Sequence, residues 1–503
     1  VKAKKKTVKP YTLKDVTIIE DAKVRRVIAA AALGNAMEWF DFGVYGYLVT
    51  VLGRVFFPAV SSSVQLVAAF ATVSVPFIMR PLGGLFCGLI GDKHGRQSVL
   101  AVTIIIMSIS TFCIGLIPSY ATIGIWAPIM LLLCKLAQGF SVGGEYTGAA
   151  IFIAEYSPDR KRGFWSSFLD FGAFFGFIAG AGVVELLTLV LGGGGIEQWG
   201  WRLPFFLALP LGALGIYFRH ELEETPDFQQ HANSVEKTGQ GKAAEAAKPK
   251  RIGFIEIISS YWRALLMCVG MVITAMMATH LMLTYMPSYL TGSLGYTPEM
   301  GVLIMIAVMV GMLFIQPCIG WMSDHIGRKP FFYIGSIGFI ALSIPGFWGI
   351  GSGNPGILFA GLMLFAVLMN CFTGVVGSTL PAFFPTAVRY SALASSFNIA
   401  VVIAGQAPTI MAALVSGTGN LMMPAYFMMG VGCVGLITSV FMKETANRPL
   451  RGSKPMASDI EEAREILFQH YETLEGKIEA IDEEIEILEK RRQKLVQQHP
   501  HID

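Results

Sequence analysis

The chain has 503 residues, 53% hydrophobic and 15% charged, with a mean hydropathy of +0.57. A soluble domain carries roughly 25% charged residues, so this composition argues against a soluble chain and excludes disordered and collagen-like ones. The net charge of +3 hides a segregation: nine Lys/Arg and three Asp/Glu in the first 26 residues, ten Lys/Arg and fourteen Asp/Glu from Lys443 to Asp503, and few between.

Residues 1–26 form a basic segment with Lys2, Lys4, Lys5, Lys6 and Lys9. In front of apolar sequence such lysines serve topology or anionic lipid, and no nucleic-acid partner is expected. No cleavable signal peptide is read, because the first apolar run continues as a full span. Apolar runs follow at roughly 27–51, 64–90, 97–117, 122–154, 164–189 and 202–218. Each is about the length that crosses ~30 Å of hydrocarbon. A polar stretch, 219–261, reads as a linker, and six more runs lie at roughly 262–290, 300–322, 330–350, 355–381, 391–415 and 421–442. The expectation is an all-α membrane protein of twelve transmembrane helices: a six-helix bundle over 27–218 and another over 262–442. Lys/Arg-bearing loops (Lys93 and Arg96; Arg160, Lys161 and Arg162; the linker; Arg328 and Lys329; Arg389) fall on one side with both termini. That side is expected to be cytoplasmic.

The tail, 443–503, carries Leu467, Leu474, Ile481, Leu488 and Leu495 at one heptad position and Tyr471, Ile478, Ile485 and Arg492 at its partner. This predicts a coiled-coil helix over about 459–497. Its functional reading is homodimerisation; the alternative is an amphipathic helix on its own linker or on lipid. The seven cysteines are scattered through apolar runs without CxxC spacing, so neither a disulfide framework nor a metal site is expected.

The halves repeat. Gly88-Leu-Ile-Gly-Asp92-Lys-His-Gly95-Arg96 matches Gly320-Trp-Met-Ser-Asp324-His-Ile-Gly327-Arg328, each after the second run of its half. Pro158 to Arg162 echoes Pro385 to Arg389, each after a fourth run. Paired six-helix repeats are how transporters place a solute site at the midplane.

These motifs resemble the major facilitator superfamily. The sequence G-x-x-x-D-[RK]-x-G-R resembles its signature between helices two and three. Lys135-Leu-Ala-Gln138-Gly139 resembles its fourth-helix R-x-x-Q-G, with Lys for Arg. The run Gly34 to Gly46, and Gly143-Gly-Glu145-Tyr146, resemble the metabolite:proton symporter branch; the whole chain, tail included, is similar to that branch's bacterial osmoregulatory members. The resemblance implies proton-coupled symport of zwitterionic compatible solutes (proline, glycine betaine, related osmolytes) by alternating access. It further implies a bacterial inner-membrane location, activation at high osmolality and no cofactor beyond the proton. A carboxylate:proton symporter is the rival reading.

Ionisable groups inside spans are costly and functional by default. Glu38, Asp41, Phe42 and Tyr45 share one face of the first helix, reading as a coupling face or as carboxylates buried against basic partners. Lys135 is read as the only mid-membrane cation, sharing a face with Gln138 and Glu145 at a separation that prevents Lys135 and Glu145 from pairing. With Asp170 these make the proton-coupling set Glu38, Asp41, Lys135, Glu145 and Asp170. A quaternary ammonium favours aromatic faces, for which Trp39, Phe42, Tyr45, Tyr146, Trp165 and Tyr285 are candidates. Lys135, Asn370 and Asn398 are available for a carboxylate. His280 is expected to be a structural hydrogen bonder. Asp92, Gly95, Arg96, Arg162, Asp324, Gly327, Arg328 and Arg389 are read as gating residues. There an Asp caps a neighbouring helix and pairs with an Arg. No P-loop occurs, and Gly192–Gly195 reads as a flexible outer loop. No nucleophile–base or metal set points to an enzyme.

Overall fold

The computed structural model describes residue 13 and residues 16–58, 62–94, 96–220, 254–386 and 388–472. Every apolar run falls on helix. The helices are α1 (Asp21–Phe56), α2 (Ser62–His94), α3 (Arg96–Leu116), α4 (Trp126–Tyr156), α5 (Arg162–Gln198), α6 (Ala208–His220) and α7 (Ile258–Ser293). They continue with α8 (Pro298–Ile326), α9 (Lys329–Ile350), α10 (Pro355–Thr379), α11 (Arg389–Thr418), α12 (Met423–Phe441) and the tail helix α13 (Ile460–Glu472).

Nine helices among the described residues are long and apolar enough to cross a membrane. Helices α1, α3 and α6 lie outside that set. Glu38 and Asp41 interrupt the apolar sequence of α1, α3 counts only over Val102–Leu116, and α6 has 13 residues. The outer surface is apolar, with Leu189, Val190, Phe314, Trp348 and Phe441 exposed, as contact with hydrocarbon allows.

Local chemistry sets the helix ends and bends. Pro298, Pro330, Pro355 and Pro424 open α8, α9, α10 and α12 in the first turn, where a missing N–H costs nothing. Asn354 caps α10 by accepting from the Gly356 and Ile357 N–H groups. Pro76 and Pro81 lie inside α2, and α4 changes segment at Gly143–Gly144. The Gly192–Gly195 run is helical apart from Gly192, whose φ of 70° and ψ of 165° kink α5 into two helical segments, the second ending at Gln198. Helix α7 contains two π-helical stretches, His280–Tyr285 and Tyr289–Ser293.

Within the first half α1 packs on α5, and α4 on α2 and α3; within the second α9 packs on α10 and α12, and α7 on α11. Between halves, α5 packs on α8 and α2 on α11. Exchanging the halves converts the first of these pairs into the second, so the sequence repeat is also a packing repeat. A short parallel pair, β1 (Thr17–Ile18) with β2 (Met456–Ala457), joins the segment before α1 to the segment after α12. No sequence signal announced it.

Candidate functional site

The face of α1 carrying Glu38, Asp41, Phe42 and Tyr45 turns into the protein, and its two carboxylates take different basic partners. Arg80 of α2 donates to Glu38 Oε1, and Lys135 of α4 donates to Asp41 Oδ2 at 3.0 Å. All four are buried: Glu38 is 1% exposed, Lys135 2%, Arg80 3% and Asp41 6%. Charges at such depth persist only as pairs, since removing one partner strands the other at a cost of about 3–5 kcal/mol. Lys135 Nζ also sits 4.2 Å from the centre of the Tyr45 ring, and the Tyr45 hydroxyl meets Thr72 Oγ1.

Lys135 is therefore not the only mid-membrane cation. Arg80 is a second, and an arginine deep in the apolar run 64–90 was the signal for it. Each ion pair keeps an unused atom, with Glu38 Oε2, Asp41 Oδ1 and Arg80 Nε lacking hydrogen-bond partners among the described residues. A space of about 10 Å³, the size of one water, lies among Glu38, Asp41, Arg80 and Gln138.

Beside the ion pairs lies an aromatic group. Trp39 and Phe42 have ring centres 5.3 Å apart, and Phe42 stacks on Phe77 of α2 at 5.3 Å. The His280 ring of α7 approaches Phe77, Trp39 and Phe42 at 4.9, 5.9 and 6.2 Å. His280 is fully buried and neither ring nitrogen has a hydrogen-bond partner among the described residues, so its expected role as a structural hydrogen bonder does not hold there. Trp39 is fixed by donating Nε1–H to Asn35 Oδ1, whose amide in turn donates to the Leu169 carbonyl.

Of the other candidates, Glu145 and Tyr146 lie near enough to Glu38 to feel its charge, and the rest do not join the aromatic group. The Tyr146 hydroxyl donates to Asp170 at 3.2 Å, and its ring stacks on Phe397 of α11 at 4.7 Å. Glu145 is buried at the start of the second segment of α4. Asn398 donates to the Gly143 and Ala394 carbonyls, and Asn370 to the Met312 carbonyl, so both tie helices together. Tyr285 packs against Phe70 and Tyr289. Trp165 lines a cleft of about 670 Å³ at the end where Asp21 of α1 meets the segment after α12, with Phe164, Trp321 and Asp324.

At that end several of the residues expected to gate meet. Asp324 accepts the Gly163 and Phe164 N–H groups at 2.7 and 2.8 Å, capping α5 from the opposite half, and stands 3.9 Å from Arg328. Gly327, at φ 101°, allows the turn in which Glu444 accepts the Arg328 and Lys329 N–H groups. Arg389 of α11 pairs with Glu155 of α4 at 2.8 Å, across the halves. Arg162 pairs with Asp159 and donates to the Arg448 carbonyl at 2.9 Å.

The segment after α12 straps these clusters. Arg389 donates to the Arg451 carbonyl, Asn447 to the Asp324 carbonyl, and the Met456 N–H to Asp159 Oδ2. Gly95 and the side chains of Asp92 and Arg96 lie outside the described residues. Of the heptad seam, Leu467 and Tyr471 fall on α13; Leu474, Ile478, Ile481, Ile485, Leu488, Arg492 and Leu495 lie outside the described residues, as does most of the 1–26 segment and the 219–261 linker. No cluster of three His, Cys, Asp or Glu fit to hold a metal occurs among the described residues.

A family model described as "Sugar (and other) transporter" matches residues 27–457, which takes in both halves and the strap. The chain belongs to that family. A second model, "Osmosensory transporter coiled coil", matches residues 458–503. The proline/betaine transporter of Escherichia coli K12 is 61% identical over 500 residues, covering 99% of each chain. The glycine betaine/proline/ectoine/pipecolic acid transporter OusA of Dickeya dadantii is 59% identical over the whole of both chains. Among solved structures, the major facilitator superfamily proton:xylose symporter XylE superposes with a TM-score of 0.69 at 19% identity, over 89% of this chain and 100% of that one. The fold is that of the major facilitator superfamily, and the family member is a transporter, not an enzyme.

Proposed function

We propose that the chain is a proton-coupled symporter that imports zwitterionic compatible solutes, proline and glycine betaine among them, by alternating access. The observation that carries the coupling is the pair of buried ion pairs, Glu38–Arg80 and Asp41–Lys135, on one face of α1. A carboxylate paired to a buried base accepts a proton only if the base finds another anion, which ties proton uptake to solute uptake. The solute class is supported by the full-length relatives named for proline and betaine. No cofactor is needed: a membrane potential supplies about 2.3 kcal/mol per proton per 100 mV.

Glu38, Asp41, Lys135, Glu145 and Asp170 serve the proton path; the aromatic and Asn candidates line or brace the solute path. The Asp324, Arg328, Arg162 and Arg389 clusters close one gate. In this reading the protein lies in the bacterial inner membrane with that gate and both termini cytoplasmic. The basic N-terminal segment then meets anionic lipid. The coiled coil, matched over 458–503, makes a homodimer and links osmolality to activity.

The test is uptake of radiolabelled glycine betaine and proline into liposomes, with an imposed inward proton gradient and external osmolality as variables. Uptake that needs the gradient and rises with osmolality is expected. Transport of citrate or 2-oxoglutarate instead, with neither zwitterion carried, sinks the reading.

A further inference from the structure

We propose that Arg80 and His280, both brought against the Phe77 ring from α2 and α7, form the subsite for the solute's carboxylate, with Trp39 and Phe42 walling its cationic end. This rests on the zwitterion reading above and names the groups that would hold such a solute. The guanidinium carbon of Arg80 lies 5.0 Å from the centre of the Phe77 ring, and the His280 ring centre 4.9 Å.

Both groups hold unused capacity. Arg80 uses one terminal nitrogen on Glu38 while its Nε has no partner, and both His280 nitrogens are without one. Buried polar atoms normally find partners, so three orphans in one place mark groups that bond to something that comes and goes. A neutral imidazole offers one N–H, and an arginine offers several in a planar fork suited to a carboxylate. The backbone at His280 points the same way. It opens a π-helical stretch, a rare geometry that recurs at functional sites.

The two groups belong to different halves of the molecule, so a carboxylate held by both would bridge the bundles. Its binding is also linked to the proton. Glu38 compensates Arg80, while Glu145 and the Lys135-paired Asp41 also act on Glu38. A proton from the medium that neutralises Glu38 leaves the guanidinium uncompensated in a buried place until another carboxylate replaces it. Proton and solute therefore favour each other's binding, and by linkage the effect is reciprocal. The Trp39, Phe42 and Phe77 faces beside it suit an onium group and demand no particular substituent on nitrogen.

The experiment separates donor from shape at position 280, in the full chain purified into liposomes, with glycine betaine as the probe. His280→Phe keeps an aromatic ring among Trp39, Phe42 and Phe77 but has no donor; His280→Gln keeps an N–H donor and loses the ring. The subsite predicts a KM raised about tenfold or more in His280→Phe, and a KM within about threefold of the parent in His280→Gln. Thermal melting of both variants is read alongside, and His280→Phe is expected to melt no lower than the parent because it removes two orphaned nitrogens. The opposite order of KM values, equal losses in both variants, or no change in either overturns the subsite. Failure of the parent chain to take up betaine or proline at all is a different result, and it overturns the symport reading itself.

Discussion

Asp324 of α8 caps α5 of the opposite half by accepting the Gly163 N–H at 2.7 Å, and Gly163 has no room for a side chain there. A Cβ on it would meet Asp324 Oδ1 and Ser323 Oγ at 2.5 Å and the Gly320 carbonyl at 2.6 Å. The second copy of the repeated motif thus reaches across the halves and caps a helix there.

Gly163→Val is expected to part α5 from α8 at this end. A cysteine placed at Ser167, whose side chain lies at the same contact, should then label faster with a membrane-impermeant maleimide added from that side. Betaine uptake should fall while the solubilised protein stays monodisperse. Unchanged labelling would mean that the contact does not gate access.

The Glu38–Arg80 pair predicts strongly non-additive stability. Glu38→Gln alone strands a buried guanidinium and should cost about 3–5 kcal/mol, whereas Glu38→Gln with Arg80→Gln should recover most of that loss. Denaturant unfolding of the three variants measures the coupling. If the fold survives, Glu38→Gln should lose gradient-driven uptake and retain solute exchange at equal concentrations.

Lys135 should tolerate Lys135→Arg better than Lys135→Met. Arginine keeps a charge for Asp41 and a cation for the Tyr45 face, while methionine leaves Asp41 alone at 6% exposure. Melting temperature should rank parent, Arg and Met in that order. A Met variant as stable as the parent would show that the Lys135–Asp41 pair adds nothing to stability.

The β1–β2 strap pairs Thr17 with Met456 in parallel register. Cysteines at these two positions should form a disulfide under mild oxidant in the native protein. If release of the strap is part of the cycle, the oxidised form should transport more slowly at high osmolality and recover on reduction. Equal rates in both forms would make the strap a passive tie.

Glu444 gives a pH dependence. Burial raises its carboxyl, but N–H donations from Arg328, Ala446, Lys329 and Thr445 outweigh that and hold it below its ordinary value of 4.5. A lowered carboxyl stabilises the fold above its unfolded value and loses that contribution as pH falls through the folded one. The melting-temperature gap between the parent and Glu444→Gln should be constant from pH 7 to about 5 and close below 4.5. A gap that persists in acid would locate its origin in packing.

The alternation of apolar runs and basic loops, the two-fold repeat and the one-face spacing of Glu38, Asp41, Phe42 and Tyr45 are all local or periodic, so the amino-acid sequence alone determined the helices and the presence of an internal carboxylate face. The helix-end contacts of Asp324, Gly327 and Arg328 were legible as well, because these residues sit within about one turn of each other and answer to helix-end chemistry. Partnership was not legible. Glu38 finds Arg80 forty-two positions away, Asp41 finds Lys135 ninety-four away, and Asp324 finds Gly163 in the other half. Nothing in the spacing of one helix encodes which side chain of another fills the space beside it. The same reason explains why His280 read as an ordinary helix histidine: its significance is the absence of a partner, and only the packing of α1, α2 and α7 around it decides that.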